Sequence, residues 1–156
     1  MSKYVYIKSS RIHATGLYAK CAITEDTPII EYIGDRVTPK QADNRVSDSG
    51  CIYLFELNQR YLIDSDVEQN RAKYINHACE PNCYIDVIKN QIWVYALRDI
   101  KKGEELSYDY GFDRMGWHER PCHCHSQSCF GFIVAKSHRA SIQKTKRYQR
   151  LVKSVK

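Results

Sequence analysis

The sequence predicts a mostly β domain assembled from several small sheets, with little helix. Three observations predict it. Short runs of β-branched and aromatic residues recur through the first two-thirds of the chain, each ending near polar or turn residues. Two-residue hairpin signals separate neighbouring runs. Helical spacing of apolar residues is confined to the C-terminal end.

In chain order, residues 4–7 (YVYI), 17–23 (LYAKCAI) and 28–37 (PIIEYIGDRV) read as strands. Residues 51–57 (CIYLFEL) and 60–65 (RYLIDS) are two more, with Asn58-Gln59 as the hairpin loop. Residues 70–75 (NRAKYI) read as a short helix. Residues 83–88 (CYIDVI) and 91–98 (QIWVYALR) flank Lys89-Asn90, a second hairpin signal. A turn over 99–103, with Gly103 suited to a positive φ, leads into LSYDY at 106–110. Beyond Tyr110 come a loop-like stretch, a cysteine cluster and a basic tail. In that tail Tyr148, Leu151, Val152 and Val155 fall at i, i+3, i+4 and i+7, which predicts an amphipathic helix packed on its own domain. The predicted division is a β domain over 1–114, a cysteine-rich segment over 115–134 and a basic, helical tail over 135–156.

With 156 residues and 43% hydrophobic content, the chain has the size and composition of one globular domain rather than a disordered segment. No apolar run approaches the length of a membrane span, so no membrane partner is expected. The N-terminus, MSKYVYIKSSR, has no apolar signal core, and an intracellular protein is expected. Seven cysteines, an odd number, then read as thiols or metal ligands rather than a disulfide framework. The isolated Cys21 and Cys51 read as small buried apolar residues. The net charge of +6 is unevenly spread: from Arg120 onward there are nine Lys and Arg and no Asp or Glu. The body before it is mildly acidic. An acidic body favours a basic substrate and a basic tail a polyanion, although for the body a merely solvated surface is the simpler reading.

Three motifs carry chemistry. Cys122-His-Cys124-x4-Cys129 can place three sulfurs on one zinc ion. Cys79, Cys83, His118, His123 and His125 are the candidates for a fourth ligand. The spacing alone also permits a zinc knuckle that binds nucleic acid. Residues 70–83 (NRAKYINHACEPNC) form a polar loop able to satisfy buried backbone or grip a polar ligand, and a lone His77 reads more simply as a structural histidine. Tyr108 and Tyr110, two residues apart on a strand, face one side and can line one pocket; an aromatic pair in a core is the plainer alternative.

Taken together and in this order, IHATGLYAK, IIEYIGD, YLFEL, NRAKYINHACEPNC, GEELSYDYG and CHCHSQSCFG resemble the SET-domain lysine methyltransferases with a cysteine-rich post-SET element. The resemblance covers about Ile12 to Ile133. It implies a fold of small curved β-sheets in which the NHxC and YDY segments form a pseudoknot. S-adenosylmethionine and a lysine-containing peptide, such as a histone tail, then enter from opposite faces. By this resemblance Gly16, Leu17 and Tyr18 belong to the backbone loop that holds the cofactor. Lys73 and Tyr74 support it, and Asn76 and His77 grip it. Phe130 belongs to a segment, with Phe132 and Ile133, that covers the cofactor or closes the channel wall. Tyr110 matches the catalytic tyrosine, Tyr53 lines the lysine channel and Tyr108 limits how many methyl groups are added, so mono- and dimethyl-lysine are the expected products. Cys79 completes the zinc site with Cys122, Cys124 and Cys129.

The chain departs from the family pattern twice: Ala14 replaces the first glycine of GxG, and Lys73 replaces an arginine, which would give weaker planar contacts. The rival readings are a zinc-stabilised nucleic-acid-binding module, favoured by the basic tail, and a catalytically inactive SET scaffold. A histone methyltransferase would work in the nucleus or on chromatin in a eukaryotic or host setting, and in the cytoplasm otherwise. The basic tail adds an expected non-specific contact with DNA.

Overall fold

The computed structural model describes residues 2–43 and 53–155. Ten short strands and few helices make up this part of the chain. Strands β1 (Val5–Ser9) and β2 (Thr15–Ala19) form an antiparallel hairpin. Strand β3 (Pro28–Glu31) pairs with β9 (Gln91–Ala96), which also pairs with β8 (Cys83–Ile88). A second three-stranded sheet runs β4 (Asp35–Val37), β6 (Tyr61–Asp64), β5 (Leu54–Asn58). Strands β7 (Asn76–His77) and β10 (Ser107–Tyr108) lie parallel, side by side, and bring the two segments of the expected pseudoknot together.

The sequence explains the local choices. In β9 the alternation is regular: Ile92, Val94 and Ala96 are buried, and Trp93 and Tyr95 are half-buried. Lys89 and Asn90 both take positive φ, 50° and 62°, as a two-residue turn matched to strand twist requires. The β5–β6 loop falls one residue later than Asn58-Gln59: Asn58 stays in the ladder opposite Tyr61, and its Oδ1 accepts from the backbone N–H of Arg60 and Tyr61. Residues 28–37 are not one strand. They break at Gly34 and continue in a different sheet, because the backbone there passes so close to Asp64 that a Cβ would lie 2.2 Å from its carbonyl oxygen.

The short helix expected over 70–75 is a single 3-10 turn, Ala72–Tyr74, opened by Asn70, whose Oδ1 accepts from the Ala72 N–H. A four-residue helix, α1 (Pro39–Ala42), carries a Thr38–Gln41 capping box. The expectation of a buried Cys21 fails: it sits on the bend after β2 and is exposed. Cys51, and the start of the strand expected at 51–57, lie outside the described residues.

The C-terminal region holds two helices, α2 (Lys136–Gln143) and α3 (Lys146–Val155). Thr145 stands before α3, its hydroxyl accepting from the Tyr148 N–H. Tyr148 is buried, with Leu151 and Val152 packed beside it. They join Trp117, Phe130, Phe132 and the cysteines in a second hydrophobic cluster, separate from the aliphatic core of the sheets. Segments 115–134 and 135–155 thus share one core.

Candidate active site and metal centre

A cavity of about 430 Å³ opens between the pseudoknot strands and the loop that joins β1 to β2. That volume is in the range of small-molecule sites. Residues 12–15 line one part of it, with Lys73, Tyr74, Asn76 and His77; Tyr32, Tyr53, Tyr108 and Tyr110 line another. Ile133, Phe112 and His123 close the rim.

The loop is held by polar side chains from distant parts of the chain. Ser10 Oγ accepts from the Ile12 N–H at 2.8 Å and donates to Glu105 Oε1 at 2.6 Å. The Asn76 amide shares its two hydrogens among Glu105 Oε1, Thr15 O, Ser10 Oγ and His13 O, at 2.9 to 3.3 Å. Tyr18 donates to the other Glu105 oxygen at 2.8 Å, and burial, with that carboxylate beside it, raises its pKa. Glu105 thus fixes the loop, and Gly16 leaves room for it: a Cβ there would meet the Glu105 carboxylate at 2.5 Å and displace it from its bonds to Ser10 and Asn76. Ala14, where the family has glycine, keeps the left-handed backbone, with φ 37°.

Gly16, Leu17 and Tyr18 therefore do not line the cavity; residues 12–15 do. Leu17 is fully buried in the sheet core. Phe130 is absent from the cavity too. It stacks on Tyr148 at 4.7 Å in the second cluster, and Ile133 from the same segment reaches the cavity instead. His77 is buried and both ring nitrogens are engaged within the protein. Its Nδ1 accepts from the Tyr110 N–H at 3.2 Å, and its Nε2 lies 3.7 Å from Cys79 Sγ. An accepting Nδ1 requires the neutral ring, and burial lowers the pKa accordingly. The ring thus links Cys79 to Tyr110 rather than standing free in the cavity.

The tyrosines gather closely. Tyr108 and Tyr110 have ring centroids 5.0 Å apart, and the Tyr110 hydroxyl donates to the Ile75 carbonyl at 3.0 Å. Burial pushes Tyr32 up to about 12 and Tyr108 well above the usual tyrosine value, with Tyr32 and Tyr110 adding to the latter. Both remain neutral hydrogen-bonding groups near pH 7, not bases. Lys73 lies 5.8 Å from the ring centroids of Tyr53 and Tyr74, and its ammonium pairs with Asp66 at 3.4 Å.

Beside this cavity the sulfurs of Cys79, Cys122, Cys124 and Cys129 all lie within 4.8 Å of one another. A tetrahedral zinc ion with sulfur distances of about 2.3 Å sets its ligands about 3.8 Å apart. Cys79 Sγ and Cys122 Sγ are 3.8 Å apart. Backbone N–H groups of Cys79, Phe130 and Gly131 point at the sulfurs of Cys124, Cys79 and Cys129, each at 3.4 Å, and would stabilise thiolates. Without a cation the four cannot ionise together: Cys124 and Cys79 push the Cys122 thiol up, while hydrogen bonds from Cys122 and Cys79 pull Cys124 down. The donor set fits a soft divalent metal. Cys83 stands apart, an inert thiol that burial pushes up to about 12.

The SET domain family matches residues 14–111. The chain belongs to the SET domain family. Its relatives include the "Histone-lysine N-methyltransferase, H3 lysine-4 specific" of Emericella nidulans, 41% identical over an alignment of 143 residues that covers 84% of this chain and 12% of the relative. The protein of the same name from Schizosaccharomyces pombe is 38% identical over an alignment of 140 residues that covers 84% of this chain and 15% of that protein. "Histone-lysine N-methyltransferase 2D" of Homo sapiens is 39% identical over an alignment of 134 residues that covers 80% of this chain and 2% of that protein. The chain thus spans a small part of the length of these relatives.

Sequence reasoning missed Tyr32 and Glu105 in this SET domain, and Arg139 in the helix α2 that follows it. Tyr32 sits in the IIEYIGD segment and had the signal of an aromatic before a strand break. Glu105 was one of two adjacent glutamates, and nothing local distinguished it from Glu104, which is half-buried as well and bonds Asn82 and Arg98 instead. Among the described residues no helix is long and apolar enough to cross a membrane.

Proposed function

We propose that this chain is an S-adenosylmethionine-dependent protein lysine N-methyltransferase with a structural zinc ion, acting on a histone tail or another basic protein. The observation that carries the reading is one cavity in a SET domain where a polar loop and four tyrosines meet. The relatives' names supply the substrate class: histone lysines, and lysine 4 of H3 for the fungal proteins. A histone substrate sets the work of the protein in chromatin.

Residues 12–15, Lys73, Tyr74 and the backbone of Asn76 and His77 would hold the cofactor. When bound, S-adenosylmethionine supplies a methyl carbon activated by its sulfonium. Tyr32, Tyr53, Tyr108 and Tyr110 would enclose the substrate lysine. A lysine of pKa about 10.4 is almost wholly protonated at neutral pH and has no lone pair to offer. Enclosure among buried rings removes water and lowers that pKa. Tyr32 and Tyr108, kept neutral by burial, are poor acceptors for the proton, which would leave through water. The rest of the catalysis is alignment, in which the Tyr110 hydroxyl, anchored on Ile75, takes the central part. Cys79, Cys122, Cys124 and Cys129 would hold zinc with no open position for water, which makes it structural.

Tyr108 would restrict the product. Its buried hydroxyl, alone or through a water, occupies space a methylated nitrogen must use to turn its lone pair, and displacing such a group costs free energy. Mainly monomethyl-lysine, with some dimethyl-lysine at long times, is expected. Tyr108→Phe should shift products toward di- and trimethyl-lysine without loss of the first step. Mass spectrometry of a single-lysine peptide over time reads this, and rapid trimethylation by the unaltered protein would refute it.

The exposed side of α3 supports a contact with DNA. Lys146, Arg147, Arg150 and Lys153 are exposed there, and the chain has no acidic residue after Glu119. Three or four phosphate contacts would give a log–log salt slope of about −3. A flat salt dependence would remove this partner.

The deciding experiment is methylation with labelled cofactor of free histones and of a cell lysate, read by mass spectrometry, beside calorimetry of cofactor binding. Turnover on a histone lysine is expected. Cofactor binding without turnover on any protein would leave an inactive scaffold, and zinc without cofactor binding would favour a nucleic-acid module.

A further inference from the structure

We propose that Arg139 of α2 is a positioning residue for methyl transfer, which makes α2 part of the catalytic unit rather than an appended tail. This rests on the methyltransferase reading above. The guanidinium makes three separate contacts. Its Nη2 donates to Asp109 Oδ2 at 3.0 Å, its Nη1 to the Cys79 carbonyl at 3.3 Å and its Nε to the Val134 carbonyl at 3.2 Å. One planar group thus ties the YDY segment, a metal-ligating residue and the lead-in to its own helix.

Asp109 is the residue between Tyr108 and Tyr110. Its Oδ1 accepts from the Gly111 N–H at 3.1 Å and lies 3.6 Å from His77 Nδ1. Fixing this carboxylate fixes the backbone on both sides of it. Tyr110 then has its N–H on His77 and its hydroxyl on Ile75. The Arg139 side chain is 13% exposed and that of Asp109 24%, so this ion pair is shielded far more than a surface pair. A second tie runs alongside: the Ala135 N–H donates to the Phe112 carbonyl. The Arg139 guanidinium also lies 5.9 Å from the Phe130 ring centroid, so the same helix holds the segment that Tyr148 stacks upon.

A lysine cannot reproduce three divergent donors in one plane. Arg139→Lys keeps the charge and should recover only part of what Arg139→Gln loses. Displacing the reacting groups by a fraction of an ångström costs rate without costing cofactor affinity.

The experiment uses the full chain and measures kcat, cofactor KM, zinc content and S-adenosylhomocysteine affinity for Arg139→Gln, Arg139→Lys, Asp109→Asn and the Arg139→Gln/Asp109→Asn pair. The expected result is a fall in kcat of at least about tenfold in Arg139→Gln, with full zinc and little change in cofactor KM or affinity. Asp109→Asn should fall similarly, and the pair no further than either alone. Unchanged kcat in an active protein overturns the proposal. So do losses of zinc and cofactor affinity that match the loss of kcat, which would mean a structural role only, and so does an Arg139→Lys variant equal to the unaltered protein. Absence of turnover by the unaltered chain on every protein substrate would instead overturn the methyltransferase reading, and this one with it.

Discussion

The two hydrophobic clusters are built on different principles. The sheet cluster is mainly aliphatic, with Leu17, Ile75, Ile92, Val94, Ile100 and Leu106 almost wholly buried and Tyr32 and Tyr108 at its edge toward the cavity, and its segments are tied by strand ladders. The second cluster contains Trp117, Phe130, Phe132, Tyr148 and the cysteines, and its main sheet-like tie is a single bridge between Pro121 and Phe132. One region is ordered by backbone pairing and burial. The other is ordered by ring stacking, two short helices and a constellation of sulfurs placed as ligands of one metal ion would be. The cavity lies where they meet, lined mostly by the first and closed by Ile133 and His123 of the second. A metal held by the four sulfurs would therefore act on the cavity through the wall and through His77, which joins Cys79 to Tyr110.

The largest break in this comparison comes from the metal. Cys124→Ser, or a strong chelator, should remove zinc and expose residues 117–155 to hydrogen exchange, while β3, β8 and β9 keep their protection. A structural zinc site contributes folding free energy directly. Methyl transfer should be lost along with the wall. Metal analysis and exchange mass spectrometry check this, and uniform loss of protection across both regions would refute the division.

Alkaline pH should break the other region. Burial pushes Tyr32 and Cys83 up to about 12, and Tyr108 upward as well; all three belong to the sheet cluster. A tyrosine whose folded pKa lies above its unfolded value of about 10 contributes stability that is complete below pH 10 and is lost as pH rises toward 12. For Tyr32 this is roughly 2–3 kcal/mol. Tyr148, which burial also raises, adds the same sign in the second cluster. Denaturant unfolding from pH 8 to 11 should show falling stability, and Tyr32→Phe should flatten the slope. A slope unchanged in that variant would show that Tyr32 does not titrate in this way.

Much of the sheet region was legible in the sequence, because period-two alternation and turn residues are local signals. Gln91–Ala96 and the Lys89-Asn90 turn are clear cases. The break of residues 28–37 at Gly34 was not legible, since it depends on the backbone of Asp64, thirty residues away. The four sulfurs came together as the family resemblance implied, and spacing alone had left five candidates for the fourth. The resemblance was less informative about contacts. It gave the segment of Phe130, Phe132 and Ile133 the task of covering the cofactor or closing the channel wall; Ile133 reaches the cavity, and Phe130 stacks on Tyr148. Arg139 had no signature at all: an arginine in a run of basic residues reads as solvated surface until the fold brings Asp109 to it.

Tyr110→Phe probes the seam between the regions. It keeps the ring against Tyr108 and His77 and removes the bond to Ile75. Turnover should fall at least about tenfold, about 1.4 kcal/mol of barrier, with a smaller change in cofactor affinity. Unchanged turnover would remove Tyr110 from the reaction.

The smallest effect sharpens the comparison from inside the sheet region. Ala14 holds a φ of 37° in the loop that lines the cavity. For a residue with a Cβ that backbone costs about 1–2 kcal/mol. A glycine there is free of this strain, but its unfolded chain has more entropy to lose, about 0.5–1 kcal/mol. The balance favours Ala14→Gly by about 0.5–1 kcal/mol, a rise in Tm of about 1–4 °C in a chain of this length. Because Ser10, Asn76 and Glu105 already fix the loop from outside it, its geometry should persist and cofactor affinity should change little. Exchange protection at the cysteine region should change little, since that region is held by its own sulfurs and ring stacking. Calorimetric unfolding of the zinc-loaded protein measures the gain. A destabilised Ala14→Gly variant would mean that the alanine stiffens the loop more than it strains it.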